Sequence, residues 1–101
     1  MPARKAAENT TPESGADRAR RELLLRLKRV EGQLRGIQRM IEAGEDCEPI
    51  AQQLSASRKA LDKAFFELLA CAIEHPEFTA NPKEPKDRRI ERMARALARL
   101  A

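Results

Sequence analysis

The chain has 101 residues, enough for one small domain, and it contains neither Trp nor Tyr. Hydrophobic residues make up 42% and charged residues 36%, so a core of Leu, Ile, Ala and three Phe favours helices packed on helices over a sheet sandwich. A formal net charge of +4 favours an anionic partner. No signal peptide and no apolar run of membrane-spanning length is evident, which predicts a cytoplasmic protein without a membrane partner.

Residues 1–15 are polar and hold two prolines without hydrophobic periodicity. This composition predicts a disordered N-terminal arm, followed by a single all-α domain over residues 16–101. The first helix is predicted to begin near Ala16 or Asp17 and to end at Gly44, which takes the usual C′ position. Its apolar residues alternate in steps of four and three, the spacing of a heptad seam: Leu23, Leu27, Val30, Leu34, Ile37 and Ile41.

A second helix is predicted from an N-cap at Asp46 to Pro76, which stops it. The residues predicted to be buried on it are Ile50, Leu54, Leu61, Phe65, Leu68 and either Ala72 or Ile73. A proline-rich loop follows at 77–86, and a third helix is predicted from about Asp87 to Leu100. The third helix carries one apolar stripe and five arginines: Ile90, Met93, Leu97 and Leu100, with Arg88, Arg89, Arg92, Arg95 and Arg99.

Basic residues are concentrated in the first predicted helix. From Asp17 to Met40 there are eight Arg or Lys residues and three acidic ones. A solvated helix face is one explanation of such a run, but the one-sided excess favours a surface that faces phosphates. Two or three helices in a line cannot bury both sides of their apolar stripes, so self-association is expected as well.

The two cysteines are predicted to lie on one helix, 24 residues apart, which is roughly 36 Å at about 1.5 Å per residue. Cys47 and Cys71 therefore cannot form an internal disulfide or share a metal ion within one chain. They can meet only across two subunits whose second helices run antiparallel, which would create two symmetric sites per dimer.

The position of each cysteine bears on its chemistry. Cys47 lies in a first helical turn, where the helix dipole favours a thiolate. Cys71 has a competing interpretation as a small core residue. His75 follows Cys71 by four residues, a spacing that suits Zn, Cu or Ni, although a His at a helix C-terminus is also a common dipole partner.

A specific motif runs through both long predicted helices: RLKRVEGQLRGIQRMI, a hinge that ends in Asp46-Cys47, and then QQLSASRKAL. Over about Leu23 to Ile73 the chain resembles the copper-sensing operon repressor family, which also has nickel/cobalt-, formaldehyde- and persulfide-responsive members. The resemblance implies a three-helix subunit, an antiparallel four-helix-bundle dimer, and pairing of dimers into a tetramer. It also implies a repressor that binds operator DNA without a helix-turn-helix motif and releases it when an effector binds.

Carried over by position, the resemblance assigns DNA contacts to basic residues of both long helices. The positions that match are Arg26 and either Lys28 or Arg29 in the first helix, with Arg58 and Lys59 as weaker candidates in the second. The predicted DNA-binding set takes both Lys28 and Arg29 and adds Arg35 of the same basic helix. Cys47 matches the family's first ligand or reactive cysteine.

The family's other metal ligands do not carry over. Its pattern places a His 25 residues after the first Cys and a Cys or His four residues later, where this chain has Ala72 and Pro76. Cys71 and His75 each fall one residue early, which turns them by about 100° on a straight helix. The usual three-coordinate site is therefore predicted to be absent.

Several effectors remain open at this point. An offset metal site would combine Cys47 with the partner's Cys71 and the partner's His75, while a switch of two thiols would use Cys47 and Cys71 alone. Persulfide-responsive relatives lack the histidine and use two cysteines. Formaldehyde-responsive relatives begin with Met-Pro, as this chain does, and use the Pro2 amine. The sequence requires no cofactor, and Cu(I) or another soft transition metal is the alternative.

The function predicted from these features is an effector-responsive DNA-binding repressor whose partners are operator DNA, further copies of itself and a small effector. The alternative is a helical protein-interaction adaptor that uses the heptad seam and binds no DNA. An enzyme is not expected, because the chain has one His, no Tyr, no Gly-rich phosphate loop and no nucleophile–base pair.

Overall fold

The computed structural model describes residues 13–101, which form three α-helices and one short 3-10 turn. Helix α1 spans Gly15–Glu42, α2 spans Cys47–Glu74, the 3-10 turn spans Pro76–Phe78, and α3 spans Lys86–Leu100. Residues 13–101 contain no strand, so the predicted all-α subunit of three helices is confirmed. Most of the predicted N-terminal arm, including Pro2, lies outside the described residues.

Helix α1 begins one or two residues earlier than its predicted start because Ser14 caps it. The Ser14 hydroxyl accepts a hydrogen bond from the backbone N–H of Asp17 at 3.0 Å, which satisfies one of the free donors of the first turn. Glu13 also contributes to this end of the helix, since its carboxylate accepts two hydrogen bonds from Arg21. Residues 13–15 thus belong to the start of α1.

The hinge between α1 and α2 is closed by Gly44, which has a φ of 70°. Its N–H donates to the carbonyl of Ile41 at 3.1 Å, and the N–H of Glu45 donates to the carbonyl of Met40 at 3.0 Å. This pair of bonds is the Schellman motif, which satisfies carbonyls at a helix end and needs a left-handed residue at C′. The predicted role of Gly44 is confirmed.

Gly44→Ala is expected to lower the free energy of unfolding by about 1–2 kcal/mol, because an L side chain at positive φ brings Cβ against the carbonyl. The measurement is chemical denaturation followed by circular dichroism. Gly32→Ala is the matched control: Gly32 lies inside α1 and a Cβ there meets nothing within 4 Å in the subunit. The control should gain up to about 1 kcal/mol through helix propensity. Effects of the same sign at both positions would contradict this account of the hinge.

Each of α1 and α2 buries only one row of residues against the other helix. Val30 and Ile37 are buried on α1, and Ser57, Ala64 and Ala72 are buried on α2. These small α2 residues allow the helices to approach closely. The prediction that α2 buries its large leucines is therefore wrong for the single subunit, in which Leu54, Leu61 and Leu68 are 48%, 44% and 43% exposed.

Six of the exposed large apolar residues form a second row on each of α1 and α2, spaced by seven residues. We call this set the leucine face: Leu27, Leu34 and Ile41 of α1 with Leu54, Leu61 and Leu68 of α2. Leu27, Leu34 and Leu61 line one shared surface depression, so the two rows are continuous across the hairpin. The Cα atoms extend only 16 Å along the thinnest axis, and the helices described over residues 13–101 form no second layer on this face.

Helix α3 is anchored to the end of α2 by Met93 and Arg89, both buried. The Arg89 guanidinium donates a hydrogen bond of 2.9 Å to the carbonyl of Ile73, one of the free carbonyls in the last turn of α2. Its Nε is buried without a hydrogen-bond partner among the described residues. Arg89 therefore does not belong to the solvent-facing arginines of α3. Within residues 13–101 no helix combines the length and the apolar character needed to cross a membrane.

Candidate functional site

Cys47 is the first residue of α2 and is exposed. The preceding residue, Asp46, has the extended conformation of an N-cap, but its side chain makes no capping hydrogen bond. The free N–H groups of the first turn therefore stay available near the Cys47 thiol. This exposed position is where a soluble reagent or a second subunit can reach the sulfur.

Cys71 differs from Cys47 because it is half-buried near the other end of the same unbroken helix. Burial raises the pKa of the Cys71 thiol, and the neighbouring carboxylates of Glu74, Glu67 and Glu22 raise the pKa further. Since the thiolate is the nucleophile and the ligand, Cys71 is the less reactive of the two thiols at neutral pH.

His75 lies just outside α2, which ends at Glu74. Its backbone is extended, with φ −126° and ψ 105°, and its ring lies 6.1 Å from the Phe78 ring. The ring also packs against the start of α1, where a Cβ added to Gly15 would come within 3.0 Å of the imidazole Cε1. The N–H of His75 still donates to the Cys71 carbonyl at 2.8 Å, but the ring packs against Gly15 and lies near Phe78.

The donor groups do not fit a metal ion within one subunit. Among residues 13–101 there is no group of three or more His, Cys, Asp or Glu side chains that could hold one. At the two positions where the resemblance expects ligands, Ala72 is buried and apolar and Pro76 begins the 3-10 turn. Neither side chain offers a ligand atom. The subunit alone therefore does not supply the expected three-ligand set.

The predicted DNA-binding residues fall into two groups. Lys28, Arg29, Arg35, Arg58 and Lys59 are exposed, and none of them forms an ion pair with another described residue. Arg26 is different: its Nε lies 2.6 Å from Oε1 of Glu67, and its terminal nitrogen lies 3.0 Å from Oε2. This bidentate ion pair joins α1 to α2, and the Arg26 side chain is only 27% exposed.

Sequence reasoning missed one further exposed cation, Arg39, and two contacts between helices, those of Glu67 and Arg89. Arg39 is exposed and follows Lys28 and Arg35 by eleven and four residues, so all three share an arc of about 40°. The sequence spacing alone could therefore have placed Arg39 on the same helix face as Lys28 and Arg35. The roles of Glu67 and Arg89 had no such signal, because Glu67 meets a residue 41 positions away and Arg89 meets one 16 positions away.

The sequence profile described as "Metal-sensitive transcriptional repressor" matches residues 19–99, which includes most of α1, all of α2 and nearly all of α3. The chain belongs to the metal-sensitive transcriptional repressor family. The resemblance seen in the motif between Leu23 and Ile73 is thereby confirmed, and it extends through α3. A protein of this repressor family is not an enzyme, as the sequence predicted.

Individual members of the metal-sensitive repressor family support the assignment. The chain is 35% identical over 71 residues to the copper-sensing transcriptional repressor CsoR of Bacillus subtilis, covering 70% of each chain. It is 38% identical over 77 residues to the copper-sensing transcriptional repressor RicR of Mycobacterium tuberculosis, covering 74% of this chain and 80% of that one. An uncharacterized protein in the bioA 5' region of Serratia marcescens is 27% identical over 85 residues, covering 83% and 93%. No solved structure matches the sequence.

Proposed function

We propose that the protein is an effector-responsive transcriptional repressor that binds operator DNA and releases it when a small effector acts at Cys47. The observation that carries the proposal is the family match over residues 19–99. The exposed cations of α1 and α2 supply the sequence-independent part of DNA binding, since Lys and Arg contacts to phosphate release counterions. Contacts to base edges and sequence-dependent DNA shape supply the rest.

Self-association is part of the proposal because the leucine face is exposed to solvent in the single subunit. Six large apolar side chains in two parallel rows match the surface that a second antiparallel hairpin would cover. If the leucine faces of two subunits pack against each other, their four long helices form a four-helix bundle. Pairing of such dimers into a tetramer follows the resemblance.

The same antiparallel arrangement brings Cys47 of one subunit toward the partner's Cys71. Within one subunit the two thiols sit at opposite ends of α2, roughly 36 Å apart, so any joint chemistry must cross the dimer interface. The exposed Cys47 is the side chain that reacts first, and the less reactive Cys71 of the partner is the second participant. A polysulfide would transfer sulfane sulfur to Cys47 and release a shorter polysulfide or hydrosulfide. The partner's Cys71 thiol would then attack the chain of sulfur atoms on Cys47, expel hydrosulfide and close a disulfide or polysulfide link.

The alternative effectors would each need a different set of reacting or ligating groups. Cu(I) or Ni(II) would need an offset set made of Cys47, the partner's Cys71 and the partner's His75, and His75 would have to leave its packing against Gly15. Formaldehyde would need only Cys47 and an amine. The copper-sensing names of CsoR and RicR favour a metal, whereas the missing ligands at Ala72 and Pro76 favour a thiol reaction.

The release mechanism proposed is a change in packing and not a catalytic step. An effector that links Cys47 to the neighbouring subunit constrains the hairpins relative to each other. The basic side chains of the two subunits then no longer match the spacing of the phosphates. Effector binding and DNA binding weaken each other by the same factor, as linkage requires.

The experiment that tests the function measures DNA affinity by fluorescence anisotropy with and without Cu(I), Ni(II), polysulfide or formaldehyde, with mass spectrometry of the reduced protein in parallel. We expect salt-sensitive binding to DNA from upstream of its own coding sequence, and release by one effector together with a matching mass increase. A sulfur link between subunits would identify thiol chemistry, and one metal ion per subunit would identify the offset site. Absence of salt-dependent DNA affinity would instead support the adaptor alternative.

A further inference from the structure

Helix α3 carries the densest positive charge of the described chain. From Lys86 to Leu100 there are six basic residues and two acidic ones, compared with eight and four over the 28 residues of α1. None of the α3 arginines belongs to the predicted DNA-binding set. The excess on α3 therefore needs a separate explanation.

Four of these arginines share one narrow stripe, which we call the α3 arginine stripe: Arg88, Arg92, Arg95 and Arg99. Their spacing of four, three and four residues places all of them within an arc of about 60° on the helix. The stripe is about 16 Å long at 1.5 Å per residue, which spans several phosphates at 3.4 Å of axial rise each. The four side chains line a single groove of about 730 Å³.

The stripe is only partly neutralised by neighbouring carboxylates. Arg92 makes two hydrogen bonds to Glu84, and Arg95 makes one to Glu91. Arg88 and Arg99 are exposed and form no ion pair with any other described residue. The hydrogen bonds from Arg92 lower the pKa of Glu84, and the charges of Arg92, Arg89 and Arg88 lower it further. The groove is lined by four arginines and two glutamates, Glu84 and Glu91, which leaves a net charge of +2.

The arginine stripe is electrostatically unfavourable for the helix by itself. Arg88 and Arg92, Arg92 and Arg95, and Arg95 and Arg99 are like-charged neighbours at three- or four-residue spacing, which destabilises a helix. Every member is also Arg and none is Lys, and the guanidinium is the side chain that matches phosphate oxygens with two parallel donors. An anionic partner offsets the repulsion and uses this geometry.

The orientation of α3 favours DNA over a membrane surface as that partner. A membrane-bound amphipathic helix inserts its apolar side. Here that side is only partly free: Met93 and Arg89 are buried and the Arg89 guanidinium binds the Ile73 carbonyl, whereas Ile90, Leu97 and Leu100 are 38%, 38% and 60% exposed. The arginine stripe lies on another side of α3 and faces solvent, held in place by these buried contacts.

We infer that the α3 arginine stripe is a second phosphate-binding surface, through which each subunit contacts the DNA backbone independently of the basic residues of α1 and α2. The inference rests on the proposed DNA-binding function and extends it to α3. Because phosphate contacts carry no sequence information, the stripe adds affinity equally for operator and random DNA. It also makes binding more sensitive to salt.

The test is the double variant Arg88→Gln/Arg99→Gln, which removes the two unpaired cations and keeps a good helix former at each position. Affinity is measured by fluorescence anisotropy across a salt series on two duplexes of equal length, one from upstream of the coding sequence and one of random sequence. We expect affinity for both duplexes to fall by about tenfold or more near 0.15 M salt, and the salt slope to lose about 0.9 for each phosphate contact removed.

The matched control is Lys63→Gln/Lys83→Gln, which removes the same charge from two exposed sites outside the stripe and outside the predicted DNA-binding set. Circular dichroism and sedimentation confirm that both variants keep the fold and oligomeric state of the unsubstituted chain. The inference is overturned if the arginine variant and the lysine control have the same affinity and the same salt slope. It is equally overturned if the arginine variant loses binding only to phosphatidylglycerol–phosphatidylcholine vesicles.

Failure of the proposed function gives a different result. In that case the unsubstituted chain would bind the upstream and random duplexes equally, or would keep its DNA in the presence of every effector. The stripe would still be tested by the random duplex, on which the arginine variant and its lysine control are compared directly.

Discussion

Cys47→Ser should leave DNA affinity unchanged and abolish effector-dependent release. The side chain is exposed and lies at the first position of α2, so the substitution removes no buried contact and no helix cap. Ser keeps nearly the same size but cannot supply a thiolate, which is the nucleophile and the soft-metal ligand. The measurement is anisotropy of labelled upstream DNA with increasing effector, and the expected result is a flat titration at the affinity of the effector-free protein.

The companion variant is Cys71→Ser, which keeps Cys47 and removes the second participant proposed for a sulfur link, so it should bind DNA normally and fail to form that link. Because burial and the carboxylates of Glu74, Glu67 and Glu22 raise the pKa of Cys71, its thiolate fraction at neutral pH is below that of an ordinary cysteine. A small alkylating reagent near pH 7 should therefore label Cys47 faster than Cys71, and labelling of Cys71 should accelerate as the pH rises. A Cys47→Ser protein that still released DNA with effector would contradict the assignment of Cys47 as the sensor.

The helices were predictable because their ends are set by local signals. Gly44 closes α1 with a left-handed residue, Asp46 precedes α2, and Pro76 cannot continue α2. The heptad spacing of four and three was equally local and correctly indicated long helices that pack lengthwise. The spacing does not determine which row of residues packs against the neighbouring helix of the same chain. In α2 that row consists of small residues such as Ser57 and Ala64, and the leucines are exposed.

The candidate site was less predictable than the fold because its contacts join distant parts of the chain. Helical spacing placed His75 beside Cys71, but α2 ends before His75, and the ring instead packs against Gly15 at the start of α1. Composition made Arg89 look like one more solvent-facing arginine, yet it is buried against the end of α2. In each case the partner lies on another helix, and neither periodicity nor capping rules specify it.

Arg26 is the most consequential of these cases, since the predicted phosphate contact is paired with Glu67 in the subunit. Arg26→Glu is expected to abolish DNA binding by reversing a charge on the helix proposed to face DNA. That variant also places two carboxylates face to face between α1 and α2, so lost binding could reflect a disturbed hairpin. The double variant Arg26→Glu/Glu67→Arg separates the two effects, because it keeps the net charge and restores an ion pair while moving the guanidinium to α2.

The expected result is that the double variant regains the thermal stability lost by Arg26→Glu but does not regain DNA affinity. Both partners are partly exposed, with side chains 27% and 41% accessible, so solvent screens the ion pair and the recovery of stability is small. Glu67→Gln should bind DNA more tightly than the unsubstituted chain, because a phosphate then no longer competes with a carboxylate for Arg26. Recovery of DNA binding by the double variant would mean that Arg26 holds α1 to α2 and does not touch DNA, which would leave phosphate binding to exposed cations such as Lys28, Arg29 and Arg35.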